Sequence, residues 1–306
     1  MLTVVLALSA ALSNASASVL QRRAAMDESG GGTGPGQAAR WLARVLRRPT
    51  WLAGAGLLIL STVLQAAALK VGSLSLVQPL LAAELLFTLV VGSVVFRRRP
   101  DLKTWLAFAA LAAGLAMFLT AAAPGAGRST ADAGRWPATA GVVLGVVAVL
   151  TVTARRVRGA PRAALLGLAC AVSFAGTATL LKEVTGRLAD GLGAVLTTWP
   201  VYATASLGFL GFLLLQSALR AGPLAASQPA LTLGDALTSM ALGWVLFAED
   251  ITLGVRVVPE VIGLMLMGAG SVGLAHAPSV SGSWDTEPDT RDGPGPDSDR
   301  AVTQGC

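Results

Sequence analysis

Two carboxylic acids stand deep inside apolar runs of this chain: Glu84 near the middle of 74–96 and Asp235 near the middle of 224–247. A carboxylate at the centre of a membrane helix costs ~2.5 kcal/mol or more unless it meets a wet cavity or a partner, so by default it marks a functional site. In a wet cavity such a group can take up and release a proton, which suits a proton-coupled carrier. It can equally offer oxygen ligands to a hard cation that keeps some of its waters. The alternative is a protonated or hydrogen-bonded packing residue. Asp235 has company. Gln228, Thr232, Asp235, Ser239 and Gly243 follow at steps of 4, 3, 4 and 4, one continuous helical face, with Leu, Ala and Met filling much of the rest. A polar stripe of this kind lines a cavity or forms an interhelical hydrogen-bond seam. Gln78 precedes Glu84 by six residues, about 120° round a helix, so those two do not share a face.

Prolines mark the same elements. Pro79, Pro229 and Pro200 each remove an in-helix donor and free a carbonyl one turn earlier, at Ser75, Ala225 and Leu196. Broken backbone near helix ends is where carriers hinge and bind, although a proline in a first turn is also an ordinary helix start. Gln65 with Ser61 is a weaker candidate. Trp199 with Tyr202 can also serve as an interface anchor. Lys70 and Arg220 close equivalent hairpins.

These residues need helices to position them, and the composition supplies membrane helices. Of the 306 residues, 54% are hydrophobic and only 13% charged, with mean hydropathy +0.66. Apolar runs of about 20 residues, each enough to span a bilayer, recur along the chain. The pattern predicts an all-α integral membrane protein of about nine helices: 2–20, 51–69, 74–96, 103–122, 137–153, 163–181, 197–219, 224–247 and 257–275. The first run has no basic residue before it, unlike a cleavable leader, and is read as retained. Residues 27–37 are Gly-rich and 38–48 form a short basic amphipathic segment, either on an anionic leaflet or solvated. Lys182 to Asp190 reads as a polar link, and Glu249-Asp250 as the start of an exposed one. The acidic tail, 276–306, is too polar to pack and is expected to be disordered.

The chain carries a pI near 10.3 and a net charge of +6. The arginines sit in short links between apolar runs, which assigns the charge to membrane topology rather than to nucleic acid. Links after odd-numbered helices hold 15 Lys and Arg, and links after even-numbered ones hold 6. The odd links are therefore expected on the cytoplasmic side of a plasma membrane, with the N-terminus outside and the C-terminus inside.

The chain also repeats itself. At an offset of 150, Ala68, Leu69, Lys70, Gly72, Leu74, Gln78 and Pro79 match Ala218, Leu219, Arg220, Gly222, Leu224, Gln228 and Pro229. At an offset of 159, Pro100-Asp101 echoes Pro259-Glu260, and Gly114-Leu115-Ala116 echoes Gly273-Leu274-Ala275. The copies lie five helices apart, an odd number, so they are predicted to be inverted. Residues 1–153 form the first repeat (five helices) and 162–275 the second (four), with a tenth helix missing.

The hairpin "LQAAALKVGSLSLVQPLLAAELLFTLVVGSVVF" and its echo "LQSALRAGPLAASQPALTLGDALTSMALGWVLFAED" resemble the drug/metabolite transporter superfamily, the EamA-like permeases. Gly222-Pro223-Leu224, Gln228-Pro229 and Phe247-Ala248-Glu249 carry the closer match. The resemblance implies 5+5 inverted repeats and a substrate cavity lined mainly by helices 3, 4, 8 and 9. The nine-helix, N-out layout is more similar to the NIPA-like magnesium transporter branch, whose Val-x-Pro-Leu-Gly pattern Leu76-Val77-Gln78-Pro79-Leu80 loosely resembles, with Leu81 in place of Gly.

The expected function is a secondary carrier of a small metabolite or drug-like solute, proton- or cation-coupled. Glu84 and Asp235 would couple, and Gln228, Thr232, Ser239 and Gln78 would line the path. A divalent-cation transporter is the first alternative, with the same two acids as ligands and no separate metal site assigned. A non-transporting scaffold or regulatory protein is the second. Expected partners are the bilayer and a small molecule or ion, without nucleic acid, and a homodimer is left open. No enzyme activity or cofactor is expected. The sole histidine, His276, ends the last helix, no phosphate loop is present, and Cys170 and Cys306 make neither a disulfide framework nor a metal site. Leu233-Gly234-Asp235 only partly resembles the Gly-x-Gly-Asp of intramembrane aspartyl proteases, since Thr232 replaces the first Gly and no Tyr-Asp partner exists.

Overall fold

A computed structural model describes residues 1–26, 47–97, 99–122, 125, 127–249 and 257–276. The 27–37 stretch, most of the 38–48 segment, Asp250 and the tail beyond His276 lie outside the described residues. Among those described there is no strand. The helices are α1 (Leu2–Met26), α2 (Pro49–Val71), α3 (Leu74–Leu81), α4 (Glu84–Val95), α5 (Leu102–Ala122), α6 (Trp136–Ala154), α7 (Ala160–Gly186), α8 (Leu192–Leu196), α9 (Trp199–Ala221), α10 (Leu224–Phe247) and α11 (Val257–Ala275). Taking α3 and α4 as one span, nine helices among the described residues are long and apolar enough to cross a membrane. The chain is a multi-pass membrane protein by length and composition.

Local chemistry sets the helix ends. Pro49, Pro137, Pro161 and Pro200 sit in first turns, where their missing N–H would have no helical acceptor. Asp101 precedes α5 and accepts from the Thr104 amide at 3.1 Å and from the Thr104 hydroxyl. These bonds hold its carboxyl below the usual carboxylate range. α10 ends at Ala248, a non-glycine residue in the left-handed region (φ 49°). The turn sends the chain back so that the Glu249 N–H reaches the Gly243 carbonyl at 3.1 Å.

Two apolar cores hold the spans. One surrounds α7, with Leu166, Cys170 and Val172 against Leu69, Leu74, Leu214 and Phe247. The other joins α4, α5 and α11 through Leu89, Leu111, Phe118, Met267 and Leu274. α7 packs on α6, α9 and α10, and α1 packs on α2, α3 and α4. The tightest approach is α5 against α11. A Cβ on Gly270 would lie 2.5 Å from the Leu111 amide, one on Gly263 2.7 Å from the Phe118 amide, and one on Gly114 2.6 Å from the Met267 amide. Residue numbers rise on one helix as they fall on the other, so this pair is antiparallel. Without hydrophobic drive between helices in lipid, such backbone proximity supplies dispersion contacts.

Three helix bounds differ most from the sequence expectation. The helix predicted over 2–20 runs on to Met26 and takes in Arg22 and Arg23. The helix predicted over 163–181 continues to Gly186. Lys182 (3% exposed) and Glu183 (0%) are therefore buried helix residues, not a polar link. The helix predicted over 74–96 is interrupted. After Pro79 the amides of Ala82 and Ala83 bond back only three residues, to Pro79 and Leu80, at 3.0 and 3.1 Å. That tight turn separates α3 from α4 immediately before Glu84.

Candidate functional site

Three of the expected path residues carry buried polar atoms without a hydrogen-bond partner: Gln78 Nε2, Asp235 Oδ1 and Ser239 Oγ. Buried polar atoms are almost always paired, and a native protein carries only a few exceptions. Gln78 is 5% exposed and Ser239 fully buried. Thr232 is buried one turn before Asp235, and Gln228 is half-buried one turn before Thr232.

Packing relates two of the helices that carry them. α3 touches α10, and at its start a Cβ on Gly243 would lie 2.7 Å from Ser75 Oγ. One turn further along α3 come Gln78 and Pro79. One turn back along α10 comes Ser239. Another turn reaches the α3/α4 interruption on one side and Asp235 on the other. Beyond Ser239, α10 leans on α7 instead: Gly234 admits Leu168 and Ala171 of that helix.

Glu84 is held differently. Its Oε2 accepts from Asn14 Nδ2 of α1 at 2.6 Å, a bond that α1's Ser/Asn-bearing face supplies. Pro79 lies just ahead of the interruption, whereas α10 runs unbroken through Pro229, and Pro200 opens α9. Of the weaker candidates, Ser61 donates to the Ala10 carbonyl at 2.9 Å, and Trp199 stacks edge-on with Trp136 at 5.2 Å.

The sequence reading missed a second polar cluster. Glu249, expected to begin an exposed link, is fully buried. Its Oε1 accepts from the Leu74 amide at 2.6 Å and pairs with Lys182 Nζ at 2.5 Å. Its Oε2 accepts from the Ser75 amide at 2.9 Å and the Ser75 hydroxyl at 2.5 Å. The carboxylate thus caps the N-terminus of α3, where free amides and the helix dipole favour an anion. Lys182 also lies 4.6 Å from the Phe247 ring centroid, a cation–π contact. Gly243 makes the room, since a Cβ there would stand 2.3 Å from Glu249 Oε2. Nearby, Glu183 takes the Ala131 amide at 2.7 Å and the Arg187 guanidinium at 2.7 and 2.9 Å. The signal for this cluster was present: Phe247-Ala248-Glu249 belonged to the motif, and an acid and a base closed apolar runs on the same predicted membrane face.

Hydrogen bonds joining residues 1–153 to residues 160–275 gather at this end of the molecule. Besides Leu74 and Ser75 to Glu249, the Arg128 amide donates to the Phe247 carbonyl (2.7 Å), Ala131 to Glu183, and Arg135 to the Val245 carbonyl (2.6 Å). The links following the second, fourth, sixth and eighth spans therefore meet here. Among the described residues, no group of three or more His, Cys, Asp and Glu is arranged to hold a metal ion.

No family model matches the chain, and no solved structure does. It is similar to an uncharacterized protein of Corynebacterium glutamicum, 28% identical over 252 residues, which cover 81% of this chain and 86% of that one. The likeness therefore extends along most of the length of both chains.

Proposed function

We propose that this protein is a secondary carrier of a small solute, coupled to protons or a cation and working by alternating access between inverted halves. One observation carries the reading: the unpartnered Asp235 Oδ1, buried in an apolar span. Keeping such an atom unpaired is unfavourable by a few kcal/mol, and a proton, a cation or a polar solute would relieve it. Ser239 Oγ and Gln78 Nε2, also unpartnered, extend the same path.

The packing supports inversion. Applying the offset of 159 to Leu111 gives 270, and Gly270 is the residue whose Cβ would strike the Leu111 amide. The same offset turns the Gly114–Met267 approach into 273 against 108, and Gly273 meets Ala107, one residue from that position. A two-fold axis lying in the membrane plane would produce that self-matching antiparallel crossing. In this reading the halves are 1–153 and 162–275, the basic links face the cytoplasm, and the N-terminus is outside.

The test uses purified protein in liposomes on a solid-supported membrane, with jumps of pH, of Mg²⁺ and of pooled amines, amino acids and nucleobases. A solute current that needs a proton gradient and is lost in Asp235→Asn is the expected result. A Mg²⁺ current lost in that variant would turn the reading to a divalent-cation transporter. An unchanged solute current in Asp235→Asn would overturn the assigned role.

A further inference from the structure

We propose that Glu249 is the latch of a gate, closing the path at the end where the second, fourth, sixth and eighth links meet, and that it must release α3 in each transport cycle. This rests on the carrier reading above. The carboxylate belongs to the second half of the chain and the α3 amides to the first, so the bonds to Leu74 and Ser75 hold the halves together directly. They sit where Ser75 of α3 meets Gly243 of α10, one turn along the chain from Ser239 and Gln78 and two from Asp235. Lys182 neutralises the carboxylate from α7.

A lid covers the latch. A Cβ on Gly127 would lie 2.6 Å from Glu249 Cγ, and the Arg128 and Ala131 amides bind the Phe247 carbonyl and Glu183. On its outer side Glu249 borders a pocket of about 750 Å³ with Gly134, Arg135, Thr139 and Trp244. Water in that pocket can rehydrate the carboxylate and the α3 amides once they part. At the opposite end, contacts of the same helices stay within each half: Arg22 lies over Phe96, Arg23 bonds the Val95 carbonyl, and Gly222 abuts Gly159. Among the described residues the polar bonds between the halves lie at the Glu249 end, while the apolar α5–α11 contact runs on to Gly273 against Ala107 near the basic end.

The test reads access to the path, not transport. In a Cys170→Ala/Cys306→Ser background, Ser239→Cys is the reporter. A membrane-impermeant methanethiosulfonate is applied to right-side-out and to inside-out membrane vesicles. With the latch intact, the reporter reacts from the basic-link face only. Glu249→Gln is expected to raise labelling from the opposite face on the order of a hundredfold, because it leaves Lys182 buried and unpaired in the closed state. Should that variant fail to fold, Ser75→Ala carries the test. It removes one charge-assisted bond and leaves the ion pair, for an expected rise of about tenfold.

Labelling from the basic face alone, unchanged in both variants, overturns the latch and leaves the carrier reading standing. Equal labelling from both faces in the parent also overturns it. A reporter that reacts from neither face in any variant removes both, because no wet path reaches Ser239.

Discussion

Replacing Asp235 by Leu should stabilise the protein while ending its transport. Leu reproduces the forked shape of the Asp side chain at Cγ and carries no charge or hydrogen-bonding atom. Asp at the centre of a membrane helix is disfavoured by ~2.5–3.5 kcal/mol, and Leu is favoured there by ~0.5 kcal/mol. No bond to Oδ1 is lost, because none exists. Water reaching the carboxyl through the path would offset part of that difference, so the expected gain is about 1–3 kcal/mol. For a chain of this size that is a rise in melting temperature of about 2–5 °C. The assay is thermal unfolding of the detergent-solubilised protein, parent and variant side by side, with proteoliposome currents on the same preparations. A fall of more than about 3 °C would refute the reasoning, since it would mean the carboxyl has a partner that holds the fold together. A stable variant that still transports would refute the role in coupling.

Other consequences follow from single contacts. Ala248→Gly should raise stability by about 1 kcal/mol, read as melting temperature, because Ala248 adopts φ 49° against its own Cβ. Asn14→Leu removes the donor to Glu84 and should lower stability by about 1.5–3 kcal/mol, with Asn14→Gln less affected. Gly270→Val would drive a side chain into the Leu111 backbone and should prevent folding, seen as loss of a monodisperse peak on size exclusion. Asp101 has a lowered carboxyl pKa, so its cap helps above the unfolded pKa and the help is lost as pH falls through the folded one. The melting-temperature gap between parent and Asp101→Ala should therefore close on acidification.

Spans, their count and the stripe on α10 were legible because each depends on local sequence: apolar length for a span, a step of three or four for a face. Asp235 and Ser239 came out of that pattern, and with Gln78, which the repeat singled out, they are the expected path residues left with unpartnered atoms. The cluster around Glu249 was not legible in the same way. Lys182 is 67 residues from it and Ser75 is 174 residues away. Their polarity looked like an exit from the membrane, because local reading cannot count partners supplied by another helix. The break before Glu84 was half legible. Pro79 announced a disturbance, but its place, at Ala82 and Ala83, depends on how α3 is held at Ser75 and packed on α10.

In the proposed carrier, the chemistry at the two ends of the path would differ in a way that alternating access requires. Glu249 meets donors at both of its oxygens in the closed state, and water can replace them when the gate opens. Closing therefore exchanges one well-satisfied state for another, and the difference between the two can be small. An apolar seal of the same area would favour closure through every Å² it buries and would hold the gate shut. Asp235 has the opposite character, unsatisfied where it stands and relieved only by something that arrives along the path. A latch near balance and a site far from satisfaction let the occupant decide which state is populated, because a ligand moves an equilibrium by its differential affinity and by nothing else. Weakening the latch alone should thus change the resting state without changing what the site binds, and weakening Asp235 alone should do the reverse.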